Sequence, residues 1–504
     1  MTDSPAYRLP LDPKEQPLLD RLYVIRDKLA LLKQDRSTYV KSQDVVAAYN
    51  ELIEQVEALN AVRVNKRDEQ NRVDIVLDDC FQLISLFFLT IGRNHEAPAV
   101  YSAVSTVKRL LDHLKEAGFY SGKDLDSIAS HIKQWQQSVE RGKADHSPHM
   151  MTLVEARINV CMHTLHELQE SLSRLDPEMY GTYEQLVSIL RSLSACNTRS
   201  KFPAKDVADF KQQILKIQDE IHGDASKRLQ ESGLPAEQLY AEKLAQLSLT
   251  DGGVRDGPTV VKGLLARCIL WVEIIQEKQG RIDPHFDDTY NKLRSIRNQL
   301  EQMNLTHAWS LRETDLYSFQ RQLDRIDEAR VNGNFLDAEH RPADLHTQRT
   351  LLYLLRKCYA FIYQYIISSE PVSEALLPIY NQLLTLKRCL QEVKRSGGVD
   401  SPRELYPYSM KLNSIDNMKK DGKFMVGNDI PEGQGSVTSL LAECFEIAYE
   451  LRTEAEENDA SSEEEADRTG DGVLNDGSGA PSPLSTPPPP EKLDGVGGEG
   501  IAPS

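Results

Sequence analysis

A repeated stripe of apolar residues predicts that most of this chain is helical. Between Val261 and Ile275 apolar side chains recur every three or four residues, which places them on one face of a helix. The same stripe recurs around four other cysteines, so that five cysteines mark one equivalent position. These are Cys80, Cys161, Cys268, Cys358 and Cys444. The pattern predicts an all-α protein built as a tandem array of one helical unit.

Each unit is predicted to contain three helices. A tyrosine follows four of the cysteines at nearly constant spacing and marks a second helix. These tyrosines are Tyr101, Tyr183, Tyr290 and Tyr380. Third helices end alike, since Asn332-Gly333 matches Asp421-Gly422, and we expect the glycine to stop the helix because it adopts positive φ at no steric cost. Short helices must cover one another's apolar stripes, so an array of bundles or a solenoid follows.

The second copy departs from the stripe. It keeps Val154 and Cys161 but places Arg157 and Thr164 where the other copies carry apolar residues. Either this helix has a more solvated face than its equivalents, or its alignment with the other copies is wrong.

Periodicity and composition divide the chain into four parts. Residues 1–223 hold N-terminal repeats, the less periodic stretch 224–256 is predicted to be a linker, and residues 257–452 hold C-terminal repeats. Residues 453–504 carry thirteen acids and two bases within a chain of formal net charge −18, and they are rich in Ser, Pro and Gly. Such a segment buries too little apolar surface to fold, so we expect a disordered acidic tail.

Composition favours a soluble protein of the cytoplasm or nucleus. The seven cysteines include no Cys-x-x-Cys pair, which fits reduced thiols. The first residues lack the basic start and apolar core of a signal peptide. The longest largely apolar run, Cys80 to Ile91, is too short to span a bilayer, so we expect a core helix there and no membrane insertion.

The sequence contains no recognised enzyme signature. Phosphate-cradling glycine loops, Gly-x-Ser-x-Gly and His-Glu-x-x-His are absent, so we expect a protein that is not an enzyme and uses no cofactor. We also expect no metal site, because each unit offers one thiol on an apolar stripe, where a buried small side chain is typical. The alternative is a group of histidines around Cys161, although His163 and His166 would point away from that thiol on a helix. The group comprises His146, His149, His163 and His166.

One region of this acidic protein is locally basic. Residues 350–428 carry eleven Lys or Arg against seven Asp or Glu, with tyrosines among them. If several of the bases converge, the unit can bind an anionic ligand, a phosphorylated partner or the acidic tail. The alternative is a solvated surface with the tyrosines in the core. The candidate anion- or partner-binding residues are Arg356, Lys387, Arg388, Lys394, Arg395, Lys419, Lys420, Lys423, Tyr406 and Tyr408. We expect no nucleic-acid binding, because the chain is acidic overall and carries no recognised module for it.

The predicted tail contains short motifs that match kinase sites. Ser461 and Ser462 precede three glutamates, and Ser482 and Thr486 precede prolines. Acid-directed and proline-directed kinases use such motifs, which also arise by chance in disordered tails. These four residues are the candidate phosphorylation sites.

Several C-terminal motifs resemble a known family. They are YNQL at 380–383, RELYPY at 403–408, SIDN at 414–417, DGKF at 421–424 and IPEGQG at 430–435. They resemble a family of uncharacterised fungal proteins that share a helical domain of unknown function. The resemblance implies a soluble intracellular protein and supplies no catalytic residues.

Taken together, these patterns favour a non-enzymatic intracellular helical-repeat scaffold or adaptor for other proteins. The alternative is a regulatory module that binds an anionic, phosphorylated ligand or the acidic tail through the basic C-terminal unit.

Overall fold

The structure is a computed structural model in which helices dominate. The described residues are 10, 12–64, 70–199, 201–221 and 257–469, without the side chains of 304–310 and 458–469. They contain fifteen α-helices and one antiparallel hairpin, of strands β1 (Lys419–Lys420) and β2 (Lys423–Phe424). The all-α prediction is therefore confirmed. The predicted linker 224–256 and residues 470–504 of the predicted tail lie outside the described residues.

The fifteen helices form five three-helix bundles. In each bundle the first and third helices pack together, and the second lies against the third. Bundle 1 comprises α1 (Gln16–Gln34), α2 (Ser42–Val62) and α3 (Arg72–Thr90); bundle 2 comprises α4 (Ala97–Ala117), α5 (Gly122–Gly142) and α6 (Pro148–Ser173). Bundle 3 comprises α7 (Pro177–Cys196), α8 (Ala204–Ile221) and α9 (Gly257–Lys278); bundle 4 comprises α10 (Asp287–Ser310), α11 (Leu316–Glu328) and α12 (Leu345–Ile367). Bundle 5 comprises α13 (Leu377–Arg395), α14 (Tyr406–Asp416) and α15 (Gln434–Thr469).

The five equivalent cysteines make the same contact in all five bundles. Each lies buried on the third helix, and its sulfur is 3.4–3.8 Å from a backbone carbonyl oxygen of the first helix. The carbonyls belong to Leu22, Val104, Leu186, Leu293 and Leu383. A small side chain at this position lets the two helices approach closely, which explains why the repeat places a cysteine there.

The structural unit is offset from the order that the sequence suggested. The pattern was interpreted with the cysteine helix first and the tyrosine helix second. In the structure the tyrosine helix opens a bundle and the next cysteine helix closes it, as Tyr183 of α7 and Cys268 of α9 illustrate. Periodicity identifies equivalent helices but does not say which neighbouring helices share a core. The contacts between helices in the structure were needed to define the unit.

Helix α4 joins several bundles. Besides its own bundle it packs against α3 of bundle 1 and α12 of bundle 4, and most of its side chains are buried. The largest hydrophobic core consequently belongs to bundles 1, 2 and 4 together, whereas bundles 3 and 5 each have a core of their own. Bundle 3 takes α7 and α8 from before the predicted linker and α9 from after it, so the predicted boundary does not separate two packed bodies.

The matching glycines at the ends of the middle helices lie in tight turns. Helix α11 ends at Glu328 and α14 at Asp416, before Asn332-Gly333 and Asp421-Gly422 are reached. All four of those turn residues have positive φ. Positive φ at both central residues is the geometry of a type I′ turn, which Asn-Gly and Asp-Gly favour. The glycines therefore shape a turn, and they do not stop the helix as we expected.

A glutamine near the start of the third helix repeats between bundles 4 and 5. The Gln348 side chain accepts a hydrogen bond from the backbone N–H of Phe335 at 2.9 Å and donates one to its carbonyl at 2.9 Å. Gln434 does the same with Phe424, at 2.9 and 2.7 Å. The equivalence of these segments in sequence is therefore matched by an equivalent fold.

The last helix continues beyond the predicted start of the tail. Helix α15 runs to Thr469 and so includes residues 453–469, the first part of the predicted tail. In the described part of the chain no helix is both long enough and apolar enough to cross a membrane.

Candidate functional site

One face of α12 forms a wall of a cavity that we call the basic cavity. It has a volume of about 390 Å³ and lies between α4, α5, α7 and α12. Residues three, four and seven positions apart lie on the same side of a helix, so α12 contributes half of the lining. The lining residues are Leu110, Leu114, Asp124, Ser127, Ile128, Arg191, Tyr353, Arg356, Lys357, Ala360, Tyr363 and Gln364.

Arg356 is the chemically unusual residue of the basic cavity. Its Nη1 atom is buried and has no hydrogen-bond partner among the described residues. Its guanidinium carbon lies 5.0 Å from the centre of the Phe119 ring. Burial, followed by the neighbouring charge of Arg191, lowers the pKa of Arg356 to about 10. A buried cation with spare donors is stabilised when an anion approaches it.

Two further cations line the basic cavity with a single carboxylate. Arg191 forms an ion pair with Asp124, and Lys357 is exposed with its Nζ 4.8 Å from the centre of the Phe361 ring. Three cations against one carboxylate make the wall positive overall. The lining also carries the apolar side chains Leu110, Leu114 and Ile128. The cavity therefore offers positive charge for an anionic group and apolar surface for an uncharged one.

The structure places only Arg356, of all the predicted site residues, in this cavity. Lys387 and Lys394 lie on α13, where they form ion pairs with Glu443 and Glu450 of α15, the second at 2.6 Å. Both bases therefore hold bundle 5 together.

The remaining predicted residues also lie in bundle 5, on several elements. Lys419 pairs with Asp416 at 2.8 Å, and Arg395 lies 3.5 Å from Glu392. Tyr406 is exposed, whereas Tyr408 is partly buried against the core of the bundle. The other exposed bases are Arg388, Lys420 and Lys423. The local excess of basic residues thus becomes separate ion pairs and solvated side chains.

The candidate phosphorylation sites are only partly placed. Ser461 and Ser462 belong to α15, while Ser482 and Thr486 lie outside the described residues.

The sequence analysis did not single out Arg191 and Asp124 as residues of the basic cavity. They lie far from Arg356 along the chain, and nothing in their local sequence marks them.

A second cavity, which we call the ion-pair cavity, has a volume of about 560 Å³ and lies between α3, α4, α6, α11 and α12. Arg157 of α6 pairs there with Asp78 of α3 at 2.5 Å, and the hydroxyl of Tyr101 donates to the same carboxylate at 2.5 Å. Arg157 is the residue that interrupted the apolar stripe of the second copy. The polar residue in the stripe of the second copy therefore reflects a more solvated helix face, and the alignment with the other copies is correct.

Ion pairs continue along α11 beside this cavity. Asp327 contacts Arg330 at 2.9 Å, His113 at 3.0 Å and Arg109 at 3.3 Å. Burial alone would raise the pKa of Asp327, but these partners hold it at about 2. Asp79, which pairs with Arg321 at 2.9 Å, shows the opposite balance, because burial raises its pKa to about 6. Neighbouring charges therefore decide the pKa of Asp327, whereas burial decides that of Asp79.

Metal ligands do not converge in the described ranges. Between residues 12 and 469, outside the undescribed gaps, no group of three or more His, Cys, Asp or Glu is placed to hold a metal ion.

Comparisons with known proteins found a family model and two curated relatives. The model, described as "Protein of unknown function (DUF2408)", matches residues 172–313, 314–396 and 369–469. A "CUB1 family protein" of Schizosaccharomyces pombe is 37% identical over 485 residues, covering 94% of this chain and 100% of that protein. The "Cu(2+) suppressing and bleomycin sensitive protein 1" of Saccharomyces cerevisiae is 36% identical over 502 residues, covering 88% of this chain and 91% of that protein. No solved structure matches.

Proposed function

We propose that this chain, which belongs to the DUF2408 family of proteins of unknown function, binds an anionic ligand in the basic cavity and acts without catalysing a reaction. Membership confirms the resemblance to an uncharacterised fungal family, since both relatives are fungal. The family description assigns no activity, and the words Cu(2+) and bleomycin belong to the name of the budding-yeast protein. The proposal rests on the cavity.

The unpartnered guanidinium of Arg356 carries the proposal. A charged donor that is buried without an acceptor is unfavourable, and an anion at Nη1 would relieve that penalty. A hydrogen bond to a charged group contributes about 1.5–3 kcal/mol, so removing it should weaken binding by about 10- to 100-fold.

A phosphorylated small molecule is the ligand class that best fits this lining. Guanidinium groups match the oxygens of a phosphate, and Arg191 and Lys357 add positive charge beside Arg356. A volume of about 390 Å³ lies within the usual range for small-molecule sites. The apolar side chains of the lining would contact the uncharged part of the ligand.

Thermal unfolding of the full chain tests the proposal. The panel contains inorganic phosphate, pyrophosphate, a sugar phosphate, a nucleotide and a peptide of residues 470–504. A ligand that binds the folded state raises the unfolding midpoint in proportion to the logarithm of its concentration. We expect such a rise with at least one phosphorylated small molecule, and we expect Arg356→Met to need about 10- to 100-fold more ligand for the same rise.

The matched control is Arg388→Met, which removes an exposed arginine of α13. It should leave the ligand response intact. The unliganded Arg356→Met protein should unfold at the same temperature as the wild type or higher, because the substitution removes a cation whose Nη1 is buried without a partner. An equal response in the wild type and in Arg356→Met would contradict the proposal, as would a wild type that responds to no member of the panel.

A second candidate function, that of a scaffold or adaptor, is favoured by a surface of bundle 5. Tyr406, Met410 and Met418 are 66%, 52% and 54% exposed, and the first two lie one turn apart on α14. Clustered exposed apolar side chains are typical of protein contact sites. Proteins that co-purify with the wild type and with Arg356→Met, but not with a Tyr406→Ser, Met410→Ser double variant, would support this function.

A further inference from the structure

We propose that the ion-pair cavity is a separate binding site for a small organic cation, an aliphatic primary amine. The ion-pair cavity and the basic cavity have no lining residue in common. The amine site therefore does not depend on the proposed anion binding, and either can fail without the other.

Gln320 places an unsatisfied acceptor at the floor of the ion-pair cavity. The residue is 3% exposed, and its Nε2 donates to the hydroxyls of Ser102 at 2.8 Å and Thr106 at 3.1 Å. The Thr106 hydroxyl donates to the Ser102 carbonyl at 2.9 Å and accepts the N–H of Gln320. The Oε1 atom of Gln320 then has no hydrogen-bond partner among the described residues. A buried carbonyl oxygen of this kind calls for a donor.

Asp324 supplies a second acceptor one helical turn away. Residues four apart share a helix face, so Gln320, Asp324 and Glu328 line the cavity together. Oδ1 of Asp324 accepts from the hydroxyl of Tyr359 at 2.7 Å and lies 3.8 Å from Nε of Arg109, while Oδ2 lies 4.0 Å from the Arg321 guanidinium, beyond hydrogen-bond distance. The Asp324 side chain is 9% exposed and that of Glu328 is 41% exposed. The acceptors thus run from the floor of the cavity towards its mouth.

The lining favours a cation over an anion because its own cations already have carboxylate partners. Each lysine or arginine of the lining contacts an acid. The pairs are Lys108–Asp112 at 2.9 Å, Arg157–Asp78 at 2.5 Å and Arg109–Glu328 at 3.2 Å. An ammonium group offers three donors and no acceptor, which matches the unsatisfied Oε1 of Gln320 and the Oδ2 of Asp324, which accepts no hydrogen bond among the described residues. An anionic ligand would leave those oxygens unsatisfied and would have to compete for paired bases.

The rest of the lining suits an aliphatic chain. Ile75, Leu153 and Val160 present apolar side chains to a volume of about 560 Å³. A short alkyl chain can pack on this wall while its ammonium reaches the floor. Nearer the mouth, Asp74 pairs with Arg63 at 2.7 Å and Glu328 pairs with Arg109 at 3.2 Å. A carboxylate can accept from more than one donor, so the second ammonium of a diamine can join these pairs, and a diamine fits better than a monoamine.

Isothermal titration of the full chain with putrescine tests the site. We expect saturable binding of one molecule, weaker binding of n-butylamine and no saturable binding of tetramethylammonium, which carries charge but no N–H donor. Removing the charged acceptor by Asp324→Asn should weaken putrescine binding by about tenfold or more. The control Gln322→Leu, which alters an exposed glutamine of the same helix, should leave affinity unchanged.

Gln320→Met tests the acceptor at the floor separately from Asp324. It is close in size to glutamine and removes Oε1, so putrescine should bind about tenfold more weakly. Circular dichroism would confirm that each variant folds, and Arg356→Met should bind putrescine like the wild type. Equal binding of tetramethylammonium and putrescine, unchanged affinity in both Asp324→Asn and Gln320→Met, or no saturable heat with the wild type would each overturn the proposal.

Discussion

Bundle 5 is attached to bundles 1 and 4 through a buried ion pair whose removal should be strongly destabilising. The Arg312 guanidinium contacts Glu374 through Nε at 2.6 Å and Nη2 at 2.7 Å, with side chains only 6% and 13% exposed. Nη1 of Arg312 also donates to the carbonyl of Asp35 at 2.7 Å, and the backbone N–H of Val40 donates to Glu374 at 3.0 Å. These contacts connect the α1–α2 loop, the α10–α11 loop and the segment before α13.

Glu374→Ala should lower the free energy of unfolding by about 3–5 kcal/mol, because it leaves a buried guanidinium without its carboxylate. The double variant Arg312→Met, Glu374→Leu removes both charges and should be destabilised less than Glu374→Ala alone. Equilibrium urea unfolding followed by circular dichroism measures the change. Hydrogen exchange of the α13 amides would show whether bundle 5 opens before the remainder of the protein.

The exposed pair Arg395 and Glu392 provides a matched control on α13. Their side chains are 74% and 69% exposed, so breaking that pair should change stability by about 1 kcal/mol or less. If the effects of Arg312→Met and Glu374→Leu simply add in the double variant, the two residues are not energetically coupled and the reasoning is wrong.

Two further substitutions probe an ion pair and a tight backbone contact. Asp327 has a folded-state pKa near 2, below the usual value, so its contribution to stability is present above about pH 4 and lost as the pH falls through 2. Between pH 5 and pH 2, urea unfolding should show a loss of stability that is larger in the wild type than in Asp327→Asn by about 2 kcal/mol. Gly92 has φ of +81°, and a Cβ there would lie 2.6 Å from the backbone nitrogen of Ser373, so Gly92→Ala should lower the unfolding midpoint. Gly397→Ala, where φ is +107° with no atom within 4 Å, carries the backbone strain alone and should be less harmful; equal losses would exclude the close contact as the cause.

Local spacing along the chain was enough to establish the helices and their repetition. The apolar stripe follows from the 3.6-residue period, so it identified α9 and α12 and placed Cys268 and Cys358 at one equivalent position. The residue preferences of tight turns are equally local, and Asn332-Gly333 and Asp421-Gly422 have the positive φ that such pairs favour. The same locality explains the errors, since a turn glycine and a helix-stop glycine look alike in sequence.

The grouping of helices and both cavities depended on tertiary packing. Every bundle presents a similar apolar stripe, so periodicity could not show that α4 packs on both α3 and α12. Arg356 stood out through local charge, but Arg191 joined it only because α7 and α12 border the same cavity. Arg157 was an anomaly until Asp78 was seen opposite it. Burial and pairing of a charge depend on which side chains surround it in space, and residues far apart along the chain supply those neighbours.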